Sequence, residues 1–241
     1  MANFPFQRLQ ADLAKLIAET PAGSRLTSEP DLAKQMGVSR ATLREAMRTF
    51  ETQGLIRRRQ GSGTYVVGKF QVIEAGLEVL ESLETMARRM NLEVSASDLR
   101  VEQLSADKGT AEGLCVEEGT PYVRVRRVMR AEGRPVAYLI DSLPTEILKL
   151  DDLTNELRGS VLDYLINRGV DLQVSRAAIS ATNAAADVAK ALEIQRDDVL
   201  LRFASQLYDG ADKVVDYSLS YFIPGYFHFH VSRRVGNGTL V

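Results

Sequence analysis

Leu32-Ala33-Lys34-Gln35-Met36-Gly37-Val38-Ser39-Arg40-Ala41-Thr42-Leu43-Arg44-Glu45-Ala46-Met47-Arg48 is the stretch on which the reading of this chain turns. Gly37-Val38 breaks a short helix, and Ser39 offers a side-chain oxygen to the first free amides of the next. Leu43, Ala46, Met47 and Phe50 then recur at i, i+3, i+4 and i+7, a stripe that needs a core to pack on. The opposite face is left with Arg40, Thr42, Arg44, Glu45 and Arg48, so three arginines stand one turn apart. Gly54 ends the helix as a left-handed cap would, and Leu55-Ile56 open a strand. Arg57-Arg58-Arg59 lead to a Gly61-Ser62-Gly63 tip, from which Thr64-Tyr65-Val66-Val67 return. This predicts a helix-turn-helix with a basic hairpin wing, shaped to enter a DNA groove. An arginine stripe alone is as often a plain solvated face. The tight turn before it and the glycine-tipped hairpin behind it make the combination far more specific than any part.

Upstream, Leu9, Leu13, Leu16 and Ile17 keep helical spacing until Pro21 and Gly23 end the run. Thr27 or Ser28 caps the following helix, with Glu29 and Asp31 favourable in its first turn and Pro30 tolerated there. The charge is divided along the chain. Residues 1–69 carry 11 Lys and Arg against 6 Asp and Glu, a net of +5, which leaves 19 against 26, a net of −7, for the remainder. A polyanion therefore has its partner in the first part only. Cys115 is the single cysteine, which excludes an intrachain disulfide framework and a cysteine-based zinc cluster and fits a reducing cytosol. It reads as a small buried apolar residue rather than a redox centre. No apolar run reaches the ~18 residues of a membrane span, so a cytoplasmic location is expected.

The order Leu26-x-Ser28-Glu29-x-x-Leu32-Ala33, Val38-Ser39-Arg40-x-Thr42-Leu43-Arg44-x-Ala46, Gly54-Leu55-Ile56 and Gly61-x-Gly63-Thr64-Tyr65-Val66 resembles the winged helix-turn-helix of the GntR family of bacterial transcription regulators. The resemblance covers nearly all of residues 5–67. It implies that Arg40 and Arg44 read guanines, that Thr42 touches the DNA backbone and that the wing tip enters the minor groove. The expected DNA contacts are then Ser39, Arg40, Thr42, Arg44 and Arg48 on the helix, with Arg58, Arg59, Gln60, Gly61 and Gly63 on the wing. Arg is suited to bidentate bonds with guanine O6 and N7, and wing cations suit phosphates. Two positions depart from the family pattern. Thr27 replaces the usual proline, and Pro30 stands where some members carry a DNA-contacting arginine.

Residues 69–97 read as a connecting segment with a helix over 74–90, because Leu77, Leu80, Leu83, Met86, Ala87 and Met90 keep helical spacing. Beyond it the texture turns to alternation. Strands are expected at 99–104, at 122–129 and 135–141 around the turn Glu132-Gly133-Arg134, and at 172–182, 199–208, 214–222 and 227–234. Helices are expected at 111–115, 145–150, 160–167 and 184–192. The prediction is an α+β chain of two domains: a winged helix-turn-helix over 1–68, a linker helix over 69–97, and over 98–241 a mostly antiparallel sheet with helices.

The second half resembles the UTRA effector-sensing domain, of chorismate-lyase fold, through Arg127 to Pro135-Val136-Ala137, Leu143-Pro144, the helix after Ser160, and Leu192 before the strand at 199. That resemblance implies the HutC subfamily of GntR regulators and a small molecule bound between sheet and helices. The all-helical, metal-binding sensor of a rival subfamily does not fit the alternating strands. Sugar-phosphate-sensing members use an Arg-x-Arg pair, a glutamate and a Ser-x-Tyr. Here Arg127 keeps the first arginine and Ser160 the serine, but Met129, Leu139 and Leu162 stand at the other positions. The losses argue against a phosphosugar and for a less polar ligand that keeps one anionic group for Arg127.

Strand positions add Tyr138, Asp141, Arg176, Asp216 and Tyr221 as candidate effector contacts, with Ser218 beside them, although half of any such set must face elsewhere. A surface carboxylate, or a salt-bridge partner of Arg124 or Arg176, is the plainer reading of Asp141 and Asp216. His228 and His230 share one face of the last strand at a spacing that suits a metal, but with no third ligand nearby in sequence they read as structural. No metal and no cofactor is expected. The expected partners are a double-stranded, near-palindromic DNA operator, a small-molecule effector and a second copy of the chain, with no membrane. The expected function is a repressor released from its operator by the effector; an activator of the same family, an enzyme of chorismate-lyase fold and an architectural DNA binder are the alternatives, the enzyme disfavoured because no nucleophile–base pair, metal set or phosphate loop is visible.

Overall fold

The computed structural model describes residues 4–52, 54–59, 62–67, 72–149 and 159–233. Three helices open the chain: α1 (Phe4–Glu19), α2 (Glu29–Gln35) and α3 (Arg40–Thr52). Their apolar stripes meet in one core of Leu9, Leu13, Ile17, Leu32, Leu43, Met47 and Phe50. Burying each such leucine is worth about 1.5–3 kcal/mol, which outweighs the weak intrinsic stability of helices this short. Ser28 caps α2 by accepting from the Asp31 amide, and Ser39 accepts the Thr42 amide at 3.1 Å at the head of α3. Gly37 takes a φ of +67°, which turns the chain between the two helices and is open to glycine without a steric cost. Strands β1 (Ile56–Arg59) and β2 (Gly63–Val66) pair antiparallel, Ile56 opposite Val66, and close the core from below.

The segment after the wing departs from the expected helix over 74–90. Strand β3 (Ile73–Gly76) comes first, then α4, which covers only Leu83–Arg89. β3 pairs in parallel with β10 (Phe227–His230), Phe227 opposite Ile73. Ladder bonds from a strand some 150 residues away override a local helical spacing. Ser82 then marks the true helix start, its hydroxyl accepting from the Thr85 amide at 3.1 Å. Leu77 and Leu80, read as part of the helical stripe, are exposed instead, as is Val79 between them.

The second unit is a six-stranded antiparallel sheet in the order β4-β5-β6-β9-β8-β7. Its strands are β4 (Val94–Ser105), β5 (Pro121–Ala131), β6 (Arg134–Pro144), β7 (Leu172–Asn183), β8 (Val199–Asp209) and β9 (Val214–Phe222). β5 and β6 form the predicted hairpin, with Glu132 and Gly133 both at positive φ in its two-residue turn. α5 (Lys108–Leu114) and α7 (Ala186–Leu192) pack on one face of the sheet. Gly113 of α5 lies so close to the Tyr217 ring that a Cβ there has no room. α6 (Val161–Asn167) packs on the other face in a core with Leu143, Leu148 and Val215. The first turn of the expected helix at 145–150 is only a turn, and residues 150–158 lie outside the described set. β10 stops at His230, and residue 234 of the longer expected strand lies outside that set as well.

Candidate functional site: a basic helix face and a cavity over the sheet

Two places in the molecule combine exposed or unpaired polar groups with a shape that admits a partner. On the first, Ser39, Arg40, Thr42, Arg44 and Arg48 all stand exposed along α3, since the other side of the helix is fully occupied by the core. Arg44 is steered by Glu29 of α2, whose Oε2 accepts from its Nε at 2.7 Å. Glu29 also takes Arg58 Nε at 3.2 Å. Arg58, expected to hold phosphate, is thereby folded back between Glu29 and Glu51, its side chain only 17% exposed. Strand parity explains the difference: the side chain leaves β1 on the face turned toward α2 and α3. Burial pushes the Glu51 carboxyl up, against the pull of the Arg58 guanidinium.

The remaining wing arginines divide. Arg57 turns to the sheet domain, where it donates to the carboxylate of Glu193 and, at 3.2 Å, to the carbonyl of the same residue. The Arg59 side chain, Gln60 and Gly61 lie outside the described residues. Gly63 adopts a φ of +114°, and a Cβ on it would collide with the guanidinium of Arg25. Arg25 thus lies exposed against the wing, a cation that the spacing of the helix motif gave no reason to single out.

The second place is a cavity of about 770 Å³ on the α6 side of the sheet, between α4 and its preceding loop on one side and α6 on the other. Strands contribute alternate residues: Leu139 and Asp141 from β6, Asp216, Ser218, Ser220 and Phe222 from β9, Phe203, Ser205 and Leu207 from β8. Arg127 of β5, Ser160 at the N-cap of α6, and Leu162 complete the set shared with the sequence reading. Four other candidates lie elsewhere. Tyr138 and Tyr221 pair across β6 and β9 on the opposite face of the sheet, their rings stacked at 6.5 Å. Arg176 also has the opposite parity and covers the Tyr208 ring, 5.0 Å from its centroid. Met129 is fully buried in the core beneath β3 and α4 and does not border the cavity. A period of two selects only half of a strand for either face, and the sequence does not say which half.

The cavity floor is a chain of buried charges. Arg127, 4% exposed, donates from Nη1 to Asp141 Oδ2 at 2.6 Å. Asp216, 6% exposed, accepts from the Ser142 amide at 3.2 Å. Burial and the adjacent Asp141 carboxylate raise the Asp216 carboxyl well above the ordinary range, Arg127 only partly opposing them. At its rim Glu84 is also pushed up, first by burial, while Arg127 pulls it down. Asp163 of α6 accepts from the Ser82 hydroxyl at 2.7 Å and so ties the two helical walls together. His228 and His230 lie outside the cavity with Glu74 between them, His228 Nδ1 at 2.9 Å, and among the described residues no group of three such side chains is set to hold a metal.

An exposed arginine helix with a wing, joined to a sheet with a cavity of apolar walls and a charged floor, defines a DNA-binding regulator with a sensing domain. Comparison with known proteins agrees. Residues 6–66 match the family of bacterial regulatory proteins called gntR, and residues 89–228 match the UTRA domain. The chain belongs to the GntR-type transcriptional regulators that carry a UTRA domain, and it is not an enzyme. It is 29% identical over 202 residues to the probable transcriptional regulator PhnF of Escherichia coli strain K12, covering 82% of each chain. It is 28% identical over 200 residues to an uncharacterised HTH-type regulator of Rhizobium meliloti, covering 80% of each. In fold it is similar to the crystal structure of PhnF from Mycobacterium smegmatis, with a TM-score of 0.64 at 22% identity over 95% of this chain and 100% of that one.

Proposed function

We propose that the protein is a cytoplasmic, homodimeric repressor of the HutC type that leaves a near-palindromic operator when a small molecule fills the cavity over the sheet. The observation that carries this reading is the exposed row Arg40, Arg44 and Arg48 on a helix whose other face is wholly buried. Arg40 and Arg44 read bases, while Arg48, Arg25 and the glycine tip of the wing hold the sugar–phosphate backbone. Two-fold symmetry sets the two recognition helices on half-sites about 34 Å apart. The same chain contains a cavity in the size range of small-molecule sites and a contact from that domain to the wing through Arg57 and Glu193. A ligand that binds better to the form released from DNA shifts the population toward it.

The effector is not a sugar phosphate in this reading, because Met129, Leu139 and Leu162 stand where sugar-phosphate-sensing members carry polar groups, and Arg127 Nη1 is taken by Asp141. Selecting bound fragments from a random DNA library with the full-length protein gives the operator, and fluorescence anisotropy at fixed salt gives its affinity. Arg40→Ala and Arg44→Ala are expected to abolish the preference for that operator. Unchanged preference in both would overturn the assignment. Transcription from a promoter carrying the operator is expected to fall on adding the protein, and a rise would replace repression with activation.

A further inference from the structure

Among the described residues, the ionisable groups that border the cavity are Glu78, Glu81, Glu84, Arg127, Asp141 and Asp216, five carboxyls to one guanidinium. Some are accounted for inside the protein. Glu81 is paired with Arg89, Glu78 takes the Ser232 amide, and Asp141 takes Arg127. Two are not. Asp216 has a single amide donor and otherwise meets a second acid, Asp141, while Glu84 Oε1 is enclosed with no hydrogen-bond partner among the described residues. Arg127 Nε is likewise enclosed without one, although the side chain is almost fully buried.

An anionic ligand would meet this field of carboxyls, and at Arg127 it would find Nη1 already taken by Asp141, with the enclosed Nε left to donate. A cation meets the opposite situation. Around the polar floor the walls are apolar, with Leu139, Leu162 and Phe203 inside and Val79 and Leu80 exposed at the rim.

We propose that the effector is an organic cation, an ammonium or amidinium group on an apolar body, whose charged head sits against Asp216 and whose body lies on Leu139, Leu162 and Phe203. This rests on the reading of the cavity as the effector site and names its ligand class. Asp216 faces Asp141 from β6, Arg127 from β5 and the Ser142 amide, with Glu84 of α4 across the cavity beside Arg127. The empty site favours the protonated acid, because burial and the Asp141 carboxylate both oppose ionising it and a single guanidinium faces the two carboxyls. Binding exchanges that proton for the ligand's charge: the Asp216 O–H bond breaks, the proton passes to the buffer, and the new carboxylate pairs with the cation. Affinity therefore rises with pH through the range in which Asp216 titrates.

The test uses the full-length protein at physiological salt, with phenethylamine and agmatine as cationic probes at millimolar concentration. 3-Phenylpropionate, 2-phenylethanol and glucose 6-phosphate serve as anionic and neutral comparators. The amines are expected to raise the melting temperature and, in calorimetry across buffers of different ionisation enthalpy, to release a proton. Asp216→Asn, whose amide still accepts from Ser142 and donates to Asp141, is expected to weaken amine binding by about tenfold or more. Glu84→Gln provides a second variant, with a smaller loss expected. Stabilisation by an anionic or neutral probe in place of the amines, no stabilisation by either amine, or amine binding untouched in Asp216→Asn would each overturn the inference. Operator binding separates the two readings. Amines that bind without releasing operator support the ligand class and count against the effector role, whereas operator release by glucose 6-phosphate keeps the regulator and discards the cation.

Discussion

Glu193, just past the carboxyl end of α7, holds the Arg57 guanidinium of the wing strand while its other oxygen accepts from Arg130 of β5 at 2.8 Å. One carboxylate thus joins the DNA-reading unit to the sheet. Burial acts to raise the Glu193 carboxyl, but hydrogen bonds from Arg130 and Arg57 outweigh it and hold the group below its ordinary value. Its contribution is present at neutral pH and is lost as pH falls through that lowered value. Glu193→Gln is expected to cost less than about 1 kcal/mol, since water screens a partly exposed pair. It should nevertheless free Arg57 for phosphate. Operator titrations over a salt series are expected to show a log–log slope steeper by about 1, and an unchanged slope would leave Arg57 without a part in DNA affinity.

The α3 arginines should separate by kind. Arg40→Ala and Arg44→Ala are each expected to cost about 1–3 kcal/mol of discrimination against altered operators while sparing most of the affinity for random DNA. Arg48→Ala is expected to lower both affinities together. Glu29→Gln belongs with the first group, because Arg44 loses the carboxylate that sets its Nε at 2.7 Å. Anisotropy with matched and scrambled duplexes distinguishes the two patterns.

The Asp216 carboxyl sets a pH dependence whose sign is fixed. Its folded value lies well above the unfolded one, so the folded state binds a proton more tightly and loses stability as pH rises from the unfolded value through the folded one. Asn at this position has no such penalty. Asp216→Asn is therefore expected to gain in melting temperature relative to the parent as pH is raised from acid to neutral. A difference that stays constant across that range would mean the carboxyl is not protonated in the fold.

Removing the guanidinium is a harsher change. Arg127→Leu leaves Asp141 and Asp216 buried with no cation between them, which is expected to cost about 3–5 kcal/mol. Urea denaturation of the full chain at neutral pH measures it. A second substitution, Asp141→Asn on top of Arg127→Leu, is expected to restore part of the loss, and no restoration would contradict the pairing.

How far the amino-acid sequence reached depends on whether structure was local. Leu9, Leu13, Ile17, Leu43, Met47 and Phe50 were legible because a helix displays its buried face at a fixed spacing. The hairpin at Glu132-Gly133 was legible because few residue pairs tolerate that turn. Residues 73–76 were not, since their pairing partner lies at the far end of the chain. Arg127, Leu139, Asp141, Ser160, Leu162 and Asp216 do border the cavity, whereas Met129, Tyr138, Arg176 and Tyr221 do not. Strand membership was readable and strand facing was not. Arg58 shows the same limit at the wing, where one step along β1 separates a cation held by Glu193 of the sheet domain from one folded against Glu29. Glu193 carried no signal at all, because its importance comes only from what a distant strand brings to it.

The parallel pairing of β3 with β10 decides where the molecule can be cut. A sensor fragment that starts at residue 98, where alternation in the sequence begins, lacks β3 and α4. It would leave the ladder bonds of Phe227–His230 unmet and remove the cavity wall formed by residues 76–86. A fragment that starts at residue 72 keeps both, and with them every residue that borders the cavity, for screening ligands apart from DNA.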